Sequence, residues 1–289
     1  PSPSPDPMPH SSVNPSYSCE PVSATPPKKK KIAKVSPTPA PSPVYNQAAI
    51  AGYAQQAQAQ IQLINAIAPK YDQRVFSETK NGNTWTRAGT DNFSPQENTA
   101  FGYTQNSHFI QVGKDVYEKV NNNKTISIGV TGALAEQKTK FYDKSRAPTA
   151  YGSATGNASN TTFTAGAYYT LVQVNEQYLD VQTHLVNSKT QLEAVDAAKA
   201  TQNGNGFLVS GEAGKSFPIM QTGYMATPQA QLVYQQMQYG SINDGKTLAA
   251  KQTADSLRAR AGVNFSKAVA KDTATKNDVL WNTSVNYWT

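Results

Sequence analysis

The chain has 289 residues, a formal charge of +7, one cysteine and three histidines. A single cysteine excludes an internal disulfide and a cysteine-rich metal cluster, and no run of about 20 mostly apolar residues is present to form a helical membrane span. Length alone admits one large domain or two ordinary ones.

Residues 1–43 carry thirteen of the eighteen prolines. Proline removes backbone donors, and too little apolar surface accompanies it to offset the entropy of ordering, so this stretch reads as an extended, disordered linker. Lys28 to Lys31 and Lys34 add five positive charges to it. Such a run can serve as a nuclear address or a nucleic-acid tail; the reading adopted is a solvated basic linker with no nucleic-acid partner. No signal peptide is visible at Pro1, so an exported product would have its start upstream.

Residues 44–69 predict a single helix that stops at Pro69. Tyr45 to Ala68 contains eight alanines and six glutamines and no acid or base. Ile50, Ala54, Ala57, Ile61, Ile64 and Ala68 fall on one narrow apolar stripe, with Gln47, Gln55, Gln58 and Gln62 on the other faces. Such a helix is too polar for lipid and too uncharged for an ordinary wet surface. Two placements suit it: the polar but confined interior of a barrel, or a soluble domain on which it packs as an amphipathic or coiled-coil helix.

From Thr84 onward, apolar and polar residues alternate. Ile126, Ile128, Val130 and Leu134 oppose Thr125, Ser127, Gly129 and Thr131. Phe163, Ala165, Ala167 and Tyr169 oppose Thr162, Thr164, Gly166 and Thr170, and Leu257, Ala259, Ala261 and Val263 oppose Arg258, Arg260, Gly262 and Asn264. The pattern predicts about nine strands, near residues 84–90, 107–117, 125–135, 162–172, 178–186, 207–217, 224–235, 256–266 and 279–288, each about the length a tilted strand needs to cross a bilayer. The connections would hold about 16, 7, 26, 5, 20, 6, 20 and 12 residues. Such long–short alternation belongs to outer-membrane barrels, with external loops and periplasmic turns. Strand one would then run outward, and the helix would deliver the chain to the periplasmic side. Tyr117, Tyr178, Phe217, Tyr224, Tyr234, Tyr287 and Trp288 are expected in an interfacial girdle.

Chemistry-bearing patterns are few. Gly211 to Ser216 ends like a phosphate-binding loop, but its first glycine is replaced by Val209 and the segment alternates as a strand. No two of His10, His108 and His184 have metal-ligand spacing, and Asp180 and His184 would stand about 13 Å apart on one strand face. No enzyme, metal or cofactor is expected. On the barrel reading Arg87, Glu212, Arg258 and Arg260 face the lumen and hold the helix in place. Ile50, Gln55, Gln58, Ile61, Gln62 and Asn65 are the helix residues expected to line that lumen.

Several short motifs, in order, resemble the pertactin-type autotransporter β-domain of bacterial outer membranes (type V secretion): Trp85 to Gly89, Phe109 to Asp115, Ser210 to Phe217, Pro228 to Tyr234 and Ser256 to Gly262. The resemblance implies an all-β fold: an antiparallel up-and-down transmembrane β-barrel of twelve strands with an N-terminal helix in the lumen, of which this chain would supply about nine strands, with roughly three missing. It divides the chain into a 1–43 linker or passenger tail, a 44–69 plug helix and a 70–289 barrel. The implied function is a translocator that exports and anchors an N-terminal passenger on the cell surface. Outer-membrane lipid, the barrel assembly machinery, periplasmic chaperones and the chain's own passenger are the implied partners. Where one branch of the family cleaves itself between two asparagines, this chain reads Ile64, Asn65, Ala66, Ile67, so the passenger is expected to stay attached. The alternative from composition alone is a soluble secreted β-sheet adhesin or binding module with a basic proline-rich tail.

Overall fold

The structure, a computed structural model, describes residues 47–68, 70–75, 78–79, 82–94, 101–145, 153–195, 199–220, 223–245, 247–271 and 278–288. Segment 1–43 is a unit apart from 44–289, and the linker and its lysine run lie outside the described residues.

Helix α1 (Gln47–Ile67) forms where alanine and glutamine are dense, and it ends two residues before Pro69, whose missing N–H stops a helix. A short helix α2 (Tyr71–Val75), not anticipated from the sequence, follows. Nine long strands come next in chain order with four short ones among them: β1 (Glu78–Thr79), β2 (Gly82–Phe93), β3 (Phe101–Asn121), β4 (Lys124–Asp143), β5 (Ala154–Gln173), β6 (Gln177–Ala194), β7 (Ala200–Lys215), β8 (Phe217–Ile219), β9 (Tyr224–Tyr239), β10 (Ile242–Asn243), β11 (Leu248–Ala249), β12 (Gln252–Lys271) and β13 (Asp278–Trp288). Each long strand pairs antiparallel with its sequence neighbours among the long strands, giving a curled sheet that starts at β1 and β2 and ends at β13. Beside it, β8 adds to β9, and β10 pairs with β11 in a separate two-stranded hairpin.

All nine anticipated strands are present, but most are far longer than expected. β3 has 21 residues and β4 and β5 have 20 each, about twice what a bilayer crossing needs. The reason lies above Leu134 on β4, where Glu136, Lys138 and Lys140 face out and Gln137 and Thr139 face in. Both faces are polar there, so the period-two signal fades while the strand continues. The long loops shrink accordingly: residues 144–153 join β4 to β5, and 195–199 join β6 to β7. Length alternation holds for the first four connections and then fails, because 195–199 is shorter than the opposite-end connection 216–223.

The outside of the sheet locates the membrane. Leu134, Phe163, Leu185 and Leu257 are 50%, 55%, 70% and 63% exposed. They top an outward band that on β4, β5 and β6 runs over Ile126 to Leu134, Phe163 to Leu171 and Leu179 to Leu185 and carries no charge on its outward positions. Its height, nine residues on β4 and β5 and seven on β6, is close to that of a tilted strand crossing hydrocarbon. By register, Leu134 faces Phe163, whereas Leu185 faces Ala165, one outward position lower. The band therefore steps along the sheet, as tilted strands require. Of the expected girdle, Tyr117, Phe217, Tyr224 and Tyr287 are exposed, whereas Tyr178 is 7% exposed and points inward, because it shares its face with Asp180. The side chain of Trp288 lies outside the described residues.

Inside the curl, α1 packs on the inward side chains. Leu63 and Ile67 meet Ala133, Ala135 and Phe109, while Ala57 and Ile64 meet Val186, Leu208, Val233 and Met237. The anticipated stripe is misplaced by part of a turn: Ala54 is exposed and Ile61 half-buried, while Tyr53, Gln56, Gln60 and Leu63 are buried. The wall is lined with amides and hydroxyls as well as methyls, so a glutamine face packs on it as readily as an alanine face. At Gly113, opposite Trp85, a Cβ would lie 2.3 Å from the indole ring, so only glycine lets Trp85 lie flat and fully buried there.

Candidate functional site

The site is the lumen and its helix. α1 enters at the loop end of the sheet. There Gly52 rests on Phe141, and the Tyr53 hydroxyl donates to Asp244 at 2.7 Å. Asp244 belongs to the hairpin β10–β11, which turns inward and buries Ile242 against Tyr53 and Tyr103. Wall side chains then grip the helix by its backbone. Gln137 donates to the Ala59 carbonyl at 2.8 Å, Gln235 to the Ile61 carbonyl at 3.1 Å, and Gln56 from the helix donates to Thr190 at 3.3 Å. Amide contacts of this kind hold a polar helix without charge.

The C-terminal end of α1 sits at the turn end, and its carbonyls are capped by Arg87. This guanidinium donates to the carbonyls of Ala66 (3.2 Å) and Ile67 (2.6 Å), to Gln111 (2.9 Å) and to Gln73 on α2, and lies over the Phe109 ring. A cation at the negative end of a helix dipole, satisfying otherwise orphaned carbonyls, is favourable on both counts. The chain reaches the turn end inside the sheet, and β2 then runs back toward the loops, as the connection pattern implied.

Below α1, α2 forms a floor. Tyr71 stacks on Tyr178 with ring centroids 4.0 Å apart, and Arg74 lies 3.9 Å over the Tyr168 ring while pairing with Asp180. Thr170 and Gln182 both donate to Asp180 at 2.6 Å. On the neighbouring strand, Glu212 pairs with Arg260 at 2.8 Å and accepts from the Tyr178 hydroxyl (2.8 Å) and the Tyr71 N–H (3.2 Å). Asp180 and Glu212 are direct cross-strand partners. Two carboxylates in that arrangement repel. Here each has its own arginine, one from α2 and one from β12. Arg260, Gln231, Glu212, Asp180 and Thr170 in fact form one register row across five strands, a polar belt around the lumen.

Arg87, Glu212 and Arg260 thus face inward and make contacts with the helices or across the wall. Arg258 also faces inward, feels Asp91 on β2, and lines two lumen cavities of about 430 and 480 Å³ with Gln62 and Asn65. Of the six anticipated helix residues, Gln55 is buried, and Gln58, Ile61, Gln62 and Asn65 border these cavities; the Ile50 side chain lies outside the described residues. Arg74, Asp180, Tyr71 and Tyr178 were missed as a group. The signal existed in the Tyr71-to-Arg74 segment, where acid, base and tyrosine cluster after a long uncharged stretch. Gly211 to Lys215 lies in strand β7 with Glu212 turned into the belt, so it forms no phosphate loop. Among the described residues no cluster of metal-ligating side chains occurs.

An antiparallel wall with an apolar outside, a polar inside and a helix along its lumen defines a class, the outer-membrane barrel. It disfavours the soluble adhesin alternative, since a soluble sheet would turn Leu134, Phe163 and Leu185 onto a core. The family model described as Autotransporter beta-domain matches residues 84–288, and the chain belongs to that family. The transport unit of the autotransporter AIDA-I from Escherichia coli is similar in fold, with a TM-score of 0.61 at 16% identity over 78% of this chain and 73% of that one. The beta domain of the Bordetella autotransporter BrkA gives 0.53 at 18% identity over 72% and 78%, and the translocator domain of NalP from Neisseria meningitidis 0.52 at 14% over 81% and 77%. No protein with a curated description matches. The chain is therefore an outer-membrane translocator unit of type V secretion, a transport module that displays a passenger segment at the bacterial surface.

Proposed function

We propose that this translocator rests in a plugged state in which α1 remains in the lumen and residues 1–43 link it to a passenger outside. The observation that carries the reading is the uncharged helix gripped through its own carbonyls by Arg87, Gln137 and Gln235. A helix that merely passed through would have no reason for side chains aimed at its backbone. Residues 44–69 act as plug and 70–289 as wall; Arg87, Arg260 and Glu212 anchor the plug, and Arg258 charges the lumen beside it. The unit performs no catalysis of its own. Its partners are outer-membrane lipid, the machinery that inserts barrels, and the chaperones that carry an unfolded chain to it.

The test is the gel mobility of the full-length protein, recovered from bacterial outer membranes and run with and without boiling. A closed barrel resists detergent until heated, so a mobility shift is expected, together with protease-sensitive passenger on intact cells. A soluble product without a shift would end the reading. Arg87→Ala removes the cap on α1 and is expected to cost about 1–2 kcal/mol of plug docking. That would appear as more frequent channel openings in planar bilayers with the heat shift retained; unchanged conductance would exclude Arg87 as an anchor.

A further inference from the structure

The strands rise well beyond the apolar band at the loop end, and their outward side chains there are neither apolar nor uniformly charged. Asn157, Ser159 and Gln191 alternate along this part of the wall with Lys138 and Lys140 on β4 and Lys189 on β6. The wall is dented at this place. A depression of about 360 Å³ opens on the outward face, lined by Lys138, Lys140, Asn157, Ser159, Gln191 and Lys199 among others. Two carboxylates belong to or adjoin it: Glu193 also lines the depression and is paired with Lys199 at 3.4 Å, and Glu136 sits one outward position below Lys138. Lys138, Lys140 and Lys189 make no ion pair among the described residues, so the patch stays net positive.

Height identifies what fits. Lys138 and Lys140 lie four and six residues beyond Leu134, the last apolar outward residue of β4. At about 3.4 Å per residue and a tilt of about 40°, they stand roughly 10 and 15 Å above the hydrocarbon. The head-group layer of an ordinary phospholipid is only about 5–7 Å deep on each side. A phosphate at the height of the lysines therefore has to be carried on sugars. Amide and hydroxyl side chains between the lysines match sugar hydroxyls, and the apolar band continues directly beneath to meet acyl chains.

We infer that the depression around Lys138, Lys140 and Lys199 is a binding site for the phosphorylated sugar head group of a glycolipid in the outer leaflet. The site rests on the membrane-barrel reading above and deepens it by assigning one lipid class to one stretch of wall. The test uses the full-length protein in nanodiscs doped with lipopolysaccharide that carries its phosphorylated core sugars. Bound glycolipid is counted by native mass spectrometry against the same glycolipid treated with phosphatase, and against phosphatidylglycerol. The triple variant Lys138→Gln, Lys140→Gln, Lys199→Gln is expected to lose about 30-fold or more in affinity. Phosphatase treatment should weaken binding to the native chain similarly, whereas Lys119→Gln with Lys124→Gln at the turn end should leave it unchanged. Equal binding of treated and untreated glycolipid, phosphatidylglycerol binding as tightly, or an equal loss in the turn-end variant would overturn the site. A heat-modifiable mobility retained throughout would show that the barrel reading survives that failure.

Discussion

Asp180→Ala is expected to be among the most damaging single substitutions in the wall. Asp180 is 1% exposed, and its removal leaves the Arg74 guanidinium buried at the floor of the lumen without its counter-ion. Breaking a buried pair from one side costs about 3–5 kcal/mol, because the remaining charge stays desolvated. Arg74 stands on a five-residue helix held by ring and polar contacts rather than by an apolar core, so the system relieves that cost by releasing α2 rather than by unfolding β6. The expected result is a lowered midpoint for loss of the compact gel form together with a marked rise in single-channel conductance. An Arg74→Met, Asp180→Leu pair, which removes both charges, should recover most of the stability. If Asp180→Ala leaves both midpoint and conductance unchanged, the ion pair does not hold the floor.

Glu212→Ala should be comparably severe for a different reason. Glu212 accepts from Arg260, Tyr178 and the Tyr71 N–H at once, so its loss takes the paired carboxylate from a buried cation and an acceptor from a backbone donor, while the Tyr178 hydroxyl keeps Gln229 at 3.0 Å. About 3–5 kcal/mol is again the expected scale. Because Asp180 and Glu212 face each other across β6 and β7, the two sites do not act independently. Neutralising one carboxylate relieves repulsion on the other. Each single variant already gains that relief once, so Asp180→Asn and Glu212→Gln combined should cost more than the sum of the single variants, by about 1 kcal/mol. Strict additivity in denaturation midpoints would rule out the carboxylates as a coupled pair.

Much of this architecture is legible without a structure. Alternation such as Phe163 to Leu171 predicts a strand with one apolar face, and the charge-free, alanine- and glutamine-rich stretch before Pro69 predicts a helix. Both follow from local rules of period and propensity, which need no knowledge of partners. The strand ends above the membrane are not legible in that way. Once Lys138 faces out and Gln137 faces in, both are polar, and period two loses its contrast.

The sequence by itself determined the nine long strands, the inward or outward side of the alternating residues within the apolar band, and the existence of the long helix, because these depend on neighbours one to four positions away. Tertiary structure alone decided the rest. It chose which face of α1 meets the wall, since an uncharged helix with amides all round offers no unique apolar stripe. It also joined Arg260, Glu212 and Asp180 into one belt, since cross-strand register brings together residues that the chain separates by tens of positions. Arg74 meets Asp180 although 106 positions separate them. No local pattern encodes such a meeting; curling the sheet around the helix creates it, and the need to pair buried charges holds it there.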